Sequence, residues 1–169
     1  ADRNSGASPA LFDDEENPLP TPEELARAGW PTKRDRLGRA ILCASLRSGG
    51  LDFADGARAS AESVKKREYH HVFPVATLDG DREDFRVNRA LNCALITWKT
   101  NRKIAANSPR QYLEARAADA HLGEDEVRHR LASHLIPYDA LISGDYDEFI
   151  LERAALMANA MSKLCSGQN

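Results

Sequence analysis

The chain has 169 residues, of which 42% are hydrophobic, and this length suits one folded domain with a single core. Its three cysteines, Cys43, Cys93 and Cys165, lie far apart without a Cys-x-x-Cys pair, which argues against a disulfide framework or a cysteine-bound zinc and indicates a reducing, cytoplasmic compartment. No apolar run approaches the length needed to cross a bilayer, so we expect no membrane partner.

Charge is distributed unevenly along the chain, although the formal net charge is only -3. Residues 58–110 carry eleven basic and six acidic side chains, whereas residues 1–30 carry two basic and seven acidic ones and residues 111–169 carry five and ten. A phosphate backbone responds to local potential, so the basic middle segment is compatible with nucleic-acid binding. The acidic flanks predict that binding by this chain alone is modest.

The first elements are predicted by composition and capping signals. Residues 1–20 combine Ser, Gly and Pro with an acidic run, which is typical of a linker or of a strap over the surface. Thr21 and Pro22 then supply an N-cap and a first-turn proline for a short helix that Gly29 closes. Apolar residues at helical spacing predict a second helix over about residues 32–47.

The pattern changes to short β-prone pieces in the middle of the chain. Residues 69–73 and 94–98 predict two antiparallel strands, joined by a long polar loop that contains Asp-Gly-Asp at 79–81. The acidic side chains of this loop lack EF-hand spacing, so we interpret the loop as solvated rather than metal-binding. Helical signals resume at Thr100, and a further helix is predicted over about residues 108–118.

The last part of the chain is predicted to be helical. Helices are expected over about residues 124–134 and 145–164. Three histidines in this region, His121, His129 and His134, have no ligand-like partner in the sequence, and we interpret them as structural or surface residues. The whole order of elements predicts an α+β domain that is mostly helical around a small two-stranded unit.

Two histidines and an asparagine carry the chemistry that the sequence suggests. Hydrolysis of a phosphodiester at neutral pH needs a base that activates water and a cation that stabilises the developing charge. His70 and His71 can face one site only where their strand ends or twists, and Pro74 marks such a place. One histidine can then bind metal while its neighbour stays free, and the amide oxygen of Asn101 is a hard ligand suited to Mg²⁺ or Mn²⁺.

The motif as a whole resembles the HNH, or ββα-metal, endonucleases. The run His-His-Val-Phe-Pro at residues 70–74 is followed by Asn92 and then by Asn-Arg-Lys-Ile at 101–104. The surrounding phrases are similar to the C-terminal HNH domain of GmrSD-type restriction proteins, from about residue 32 to residue 164. The resemblance implies an HNH nuclease domain over residues 21–169, with a ββα-metal core at about 68–106.

The resemblance also implies roles for individual residues. His70 and Asn101 correspond to ligands of one divalent metal ion, and His71 corresponds to the general base that deprotonates the attacking water. Asn92 corresponds to the middle asparagine, whose side chain bonds the loop and holds the base in orientation. Leu-Asn-Cys at 91–93 departs from the Gly-Asn-Leu found in many relatives.

Contacts and partners follow from the same resemblance. Arg102 and Lys103 correspond to basic residues that contact phosphate beside the metal, although solvated surface charge explains them equally well. In GmrSD-type proteins a separate N-terminal nucleotide-hydrolysing domain senses modified DNA, and a phosphorothioate-sensing defence protein shares this arrangement. We therefore expect this chain to be the DNA-nicking part of a longer restriction or antiphage protein. Two alternatives remain, a DNA-binding or regulatory module without catalysis and an RNA nuclease that uses the same site.

Overall fold

The computed structural model describes residues 15–32, 34–78, 84–104, 106–118 and 122–167. The helices of this part are α1 (Pro22–Arg27), α2 (Arg36–Arg47), α3 (Trp98–Ile104), α4 (Pro109–Ala118), α5 (Gly123–Ala132), α6 (Tyr138–Ser143) and α7 (Tyr146–Cys165). The predicted loop at 79–81, His121 and most of the N-terminal linker lie outside the described residues.

The domain is α+β and largely helical, as the sequence predicts. Apolar side chains from every α-helix and from the β-unit join one buried cluster, which includes Leu25 of α1, Ile96 of the second strand and Met157 of α7. None of the described helices is both long and apolar enough to cross a membrane. The helix α6 was not predicted from the sequence, because a segment of six residues is too short to show a helical period.

Capping side chains set the starts of the first two helices. Thr21 and Glu24 form a capping box, in which each side chain accepts from the backbone N–H of the other residue. The second helix begins at Arg36 rather than near residue 32, because Asp35 is its N-cap and accepts from the backbone N–H of Gly38 at 2.6 Å. Both helices end within a residue or two of the predicted positions.

The two predicted strands are present, and both begin earlier in the chain than the pattern indicated. The first strand, β1, is Arg67–His71, and the second, β2, is Cys93–Thr97. They pair antiparallel, with His70 opposite Ala94 and His71 opposite Cys93. β1 ends before Phe73 because the side chain of Asn92 bonds both the N–H and the C=O of that residue. The ladder therefore cannot continue there.

A buried aspartate joins β2 to the helix that follows it. Asp52 is completely buried and accepts hydrogen bonds from the backbone N–H of Thr97 at 2.7 Å and from the hydroxyl of Thr100. Burial alone would raise the pKa of Asp52, but these hydrogen bonds outweigh it and hold the pKa below its usual value. The helix α3 consequently starts at Trp98, directly after β2 and ahead of the predicted start.

Buried arginines tie the elements around the β-unit to one another. Arg153 of α7 is fully buried and donates to the carbonyl oxygens of Leu91, Cys93 and His134. Arg67 at the start of β1 donates to the carbonyl oxygen of Gly50 at 2.9 Å. Because guanidinium groups can satisfy several acceptors at once, these residues fix irregular backbone on both sides of the strands.

Candidate active site

β1 ends in two consecutive histidines whose surroundings differ. His70 is only 4% exposed, whereas His71 is partly exposed. Consecutive strand residues point to opposite faces, but the strand ends at His71, and both rings border one cleft of about 780 Å³. Asn101 and Pro74 line the same cleft. The structure thus brings together three of the predicted site residues, His70, His71 and Asn101.

Asn101 connects His70 to an acidic residue of the same strand. Its Oδ1 lies 2.8 Å from Nδ1 of His70, and its Nδ2 donates to Oε2 of Glu68 at 2.9 Å. A carboxylate can only accept, so Glu68 requires the amide nitrogen of Asn101 on its side and leaves the amide oxygen facing His70. Glu68 therefore fixes which end of the amide points toward the histidine.

The buried position of His70 makes its ring neutral. Burial lowers its pKa to about 4, because the charged ring would lose hydration, and the hydrogen bond with Asn101 offsets only part of this effect. The Nε2 of His70 is buried and has no hydrogen-bond partner among the described residues. A buried polar atom without a partner normally marks a missing water or ion.

The residues at this position fit one divalent cation with few protein ligands. A neutral imidazole nitrogen and an amide oxygen are both suitable donors for such an ion. Within the described part of the chain, no group of three or more His, Cys, Asp or Glu side chains is arranged to hold a metal ion. A cation held by His70 and Asn101 would therefore keep most of its coordination positions for water and phosphate.

Two contacts orient the ring of His71. Its Nε2 lies 3.1 Å from Oδ1 of Asn88, and the ring of Trp30 stacks on it with centroids 4.1 Å apart and 21° between the planes. With the oxygen of the Asn88 amide toward the ring, Nε2 donates and the lone pair of the neutral ring is on Nδ1. A ring oriented in this way can accept a proton from a group bound in the cleft.

Asn92 lies beneath the cleft and does not line it. It is completely buried, and its Oδ1 accepts from the N–H of Phe73 at 2.8 Å. Its Nδ2 donates to the carbonyl oxygens of Phe73 and Val87 at 3.1 and 3.0 Å. Asn92 thus joins the segment after β1 to the segment before β2, while Asn88 is the asparagine that contacts the ring of His71.

The two basic residues of the motif lie on different sides of α3. Arg102 is exposed, and its guanidinium carbon is 5.1 Å from the ring centroid of Trp98, which is itself 45% exposed. The Nζ of Lys99 is 5.9 Å from the same ring. Lys103, in contrast, lines another cleft, between α3, α4 and α5.

Four contributing residues were not assigned roles from the sequence: Trp30, Asp52, Glu68 and Asn88. The sequence does carry a signal for Glu68. It lies two positions before His70, and alternate residues of a strand share one face. Asn88 and Asn92 lie in the same short stretch, residues 87–92, and nothing in the spacing distinguishes the two asparagines. Trp30 reaches His71 from a distant part of the chain, and no local pattern predicts such a contact.

The histidines of the C-terminal half are not part of the cleft. His134 is buried, and its Nε2 donates to the carbonyl oxygen of Leu51 at 2.7 Å. Burial also lowers the pKa of His134 to about 4. His129 is exposed on α5.

None of the protein-family models, curated proteins or solved structures compared with the chain matches it. The chemistry of the cleft at the end of β1 is therefore the basis on which a function is assigned.

Proposed function

We propose that this chain is a metal-dependent endonuclease domain of the HNH type that hydrolyses phosphodiester bonds of DNA. The observation that carries the proposal is the pairing of His70 and Asn101, whose Nδ1 and Oδ1 lie 2.8 Å apart across β1 and α3, next to the oriented ring of His71. The strand, strand and helix that supply these residues follow the order expected for a ββα-metal motif.

His71 is the general base in this proposal. Its Nδ1 takes a proton from a water molecule, the water oxygen attacks phosphorus, and the bond from phosphorus to the leaving oxygen breaks. The leaving oxygen then takes a proton from solvent. Trp30 and Asn88 hold the plane of the ring, so that Nδ1 can act as the proton acceptor when Nε2 donates to Asn88. A positioned base typically contributes a factor of about 10² to 10⁴ to the rate.

His70 and Asn101 would hold one Mg²⁺ or Mn²⁺ ion, which would stabilise negative charge on the phosphate and on the leaving oxygen. A cation bound there would replace the hydrogen bond between Nδ1 of His70 and Oδ1 of Asn101, which are 2.8 Å apart, and the proton of the neutral ring would then be on Nε2. Glu68 positions the amide of Asn101, and Asn92 keeps the backbone after β1 in place.

The proposed contact surface for the substrate is the basic and aromatic start of α3. Arg102 and Lys99 surround the exposed ring of Trp98, and such a surface can contact both phosphates and bases. With one metal and one base, the product is a single-strand nick. Following the resemblance, we place the domain in a cytoplasmic restriction or antiphage protein whose nucleotide-hydrolysing N-terminal domain senses modified DNA.

Two other functions use the same residues. An RNA nuclease would need the same base and metal, and a binding module without catalysis would need only the basic surface. The placement of His71 beside His70 and Asn101 in one cleft favours catalysis over binding alone, because phosphate binding does not require an imidazole next to a candidate metal-binding pair.

The deciding experiment is a cleavage assay with the purified chain. Supercoiled plasmid, single-stranded DNA and single-stranded RNA are incubated with Mg²⁺, with Mn²⁺ or with chelator. We expect nicked circles only when metal is present. Cleavage of RNA but not of DNA would support the RNA nuclease instead. Retention of plasmid in a gel without cleavage under any metal condition rejects the nuclease proposal.

A further inference from the structure

A second cleft, which we call the lysine cleft, lies between α3, α4 and α5. Its inner part is a cavity of about 120 Å³. The walls of this cavity are mainly apolar, and the residues that form them include Phe53, Ile104, Leu113, Val127 and Leu131. Most of these side chains belong to the buried core cluster, so the cavity reaches from the surface into well-packed protein.

The outer part of the lysine cleft is polar and basic. A space of about 200 Å³ shares Thr100, Lys103 and Arg116 with the inner cavity and adds Lys99 and Asp55. Three of these side chains are cationic and one is anionic. The opening is therefore positively charged, whereas the space behind it is apolar.

The two lysines at this opening are available to an anion. Among the residues that the structure describes, neither Lys99 nor Lys103 forms an ion pair with an acidic side chain. Asp55 instead accepts a hydrogen bond from the backbone N–H of Ala57 at 2.8 Å. A cation that is not neutralised within the protein attracts anions to a concave surface.

We propose that the lysine cleft binds a small organic anion, with a single six-membered ring in the inner cavity and a carboxylate or phosphate group at Lys99 and Lys103. At about 120 Å³ the cavity is slightly smaller than the apolar cavity of about 150 Å³ that binds benzene, but its walls include the exposed residues Lys103 and Ala115, so a ring need not be fully enclosed. Charge supports the anionic group. The site differs from the cleft of His70 and His71 but shares Lys99 with the proposed substrate surface, so its ligand binding is measured without nucleic acid.

If this assignment is right, the ring and the anionic group of one ligand both contribute to its affinity. Burying a ring contributes roughly 1.5–3 kcal/mol, which corresponds to about tenfold or more in affinity. An anion beside partly exposed lysines contributes less, about threefold to tenfold, and this part is screened by salt. A ligand with both features should therefore bind more tightly than a ligand with only one.

The test uses phenyl phosphate as the probe, with benzyl alcohol and inorganic phosphate as probes that lack the charge or the ring. Binding to the full chain is followed without added metal by NMR of the isotope-labelled protein. We expect saturable shifts of the methyl groups of Ile104, Leu113 and Val127, and weaker binding of the two partial probes. Benzoate distinguishes a carboxylate ligand from a phosphate ligand.

Two variants test the location. Ala115 lines the inner cavity but is exposed, so Ala115→Phe should block the cavity without disturbing the core and weaken phenyl phosphate binding about tenfold or more. Ala118→Phe places the same side chain on an exposed residue of α4 outside the cleft, and it should leave binding unchanged. Lys103→Gln should weaken binding severalfold and reduce its salt dependence.

Several results would overturn the proposal. These are the absence of saturable binding, equal affinity for phenyl phosphate and inorganic phosphate, or unchanged affinity in Ala115→Phe with a circular dichroism spectrum like that of the parent chain. Shifts confined to residues around His70 and His71 would also overturn it, because they would assign the anion to the other cleft.

Discussion

The end of β1 and the turn after α5 each contain a buried histidine, and the two differ in what surrounds them. His70 and His134 are both almost inaccessible, and burial lowers both pKa values to about 4. The Nε2 of His134 donates to a backbone carbonyl oxygen, while the Nε2 of His70 has no partner among the described residues. His70 also borders an open cleft with His71 and Asn101.

A depressed pKa therefore does not identify a functional histidine in this domain. Burial produces the same shift in a structural residue and in a candidate ligand. The two histidines differ in their partners. The Nε2 of His134 donates to a main-chain carbonyl oxygen, whereas His70 contacts the side-chain amide of Asn101 and borders an open cleft. The following predictions test whether chemistry belongs to the β1 end alone.

The largest effect is expected at the proposed base. His71→Ala should reduce plasmid nicking about 10³-fold, because the proton acceptor is lost while the metal-binding pair is retained. The matched control is His129→Ala, which removes an exposed histidine from α5 and should leave the rate unchanged. Rates are measured with saturating Mn²⁺. Cleavage by His71→Ala at the rate of the control variant would reject the base assignment.

The second prediction concerns stability and acid. The pKa of His134 is lowered below the ordinary value of 6.5, so the unfolded chain takes up the proton first as the pH falls. The free energy of unfolding therefore has its full value above about pH 6.5 and decreases as the pH falls toward 4. This one group accounts for at most about 3 kcal/mol of the decrease. Urea denaturation at several pH values measures this loss.

His134→Gln provides the comparison for that measurement. The glutamine amide can still donate to Leu51, but it does not titrate, so the variant should lose less stability than the parent chain between pH 6.5 and 4. His70 continues to titrate in the variant, and a reduced slope rather than a flat one is expected. An unchanged slope would show that His134 is not the source of the acid sensitivity.

Metal affinity should depend on the β1 end and not on the α5 end. His70→Ala and Asn101→Ala each remove one proposed ligand and should weaken Mn²⁺ binding about 10-fold to 100-fold, with partial recovery of nicking at raised Mn²⁺. His134→Gln should leave metal affinity unchanged. Calorimetry checks all three variants. Unchanged affinity in the first two would remove both residues from the metal site.

A smaller effect is expected at the residue that orients Asn101. Glu68→Gln replaces an acceptor-only group with an amide that can also donate, so the Asn101 side chain is no longer held with its oxygen toward His70. We expect about tenfold weaker Mn²⁺ binding at most, with an unchanged melting temperature. Glu62→Gln, at an exposed residue five positions before the start of β1, serves as the control. Equal metal affinity in both variants would exclude the positioning role.

The sequence predicted the fold class and nearly all helices, because capping residues and apolar spacing are local signals. It also predicted the two strands and the following helix, which bring His70 of β1 near Asn101 of α3, because the order of these elements limits where each residue can lie. It did not predict the contacts of Trp30 or Asn88 with His71, which depend on how a distant segment packs. The early end of β1 also depends on such a contact, made by the buried amide of Asn92.

The smallest expected effect is that of the N-terminal segment, which was predicted to be an acidic linker or a strap. Deleting residues 1–20 removes five acidic side chains and one basic one, and the formal net charge changes from -3 to +1. The described part of this segment includes Glu15 and Glu16, which are exposed. Exposed carboxylates repel phosphate weakly, and salt screens the effect.

Deletion of residues 1–20 should therefore raise the nicking rate no more than about threefold at low salt and not at all at high salt. A variant of full length with Asn or Gln at residues 13–16 separates charge from chain length, and it should reproduce most of the increase. If the deletion raises the rate but the neutralised variant does not, the segment obstructs DNA by its bulk. If the truncated chain and the parent chain have equal rates and equal salt dependence, the segment acts only as a linker. Charge at the N-terminus would then have no influence on the cleft at the end of β1.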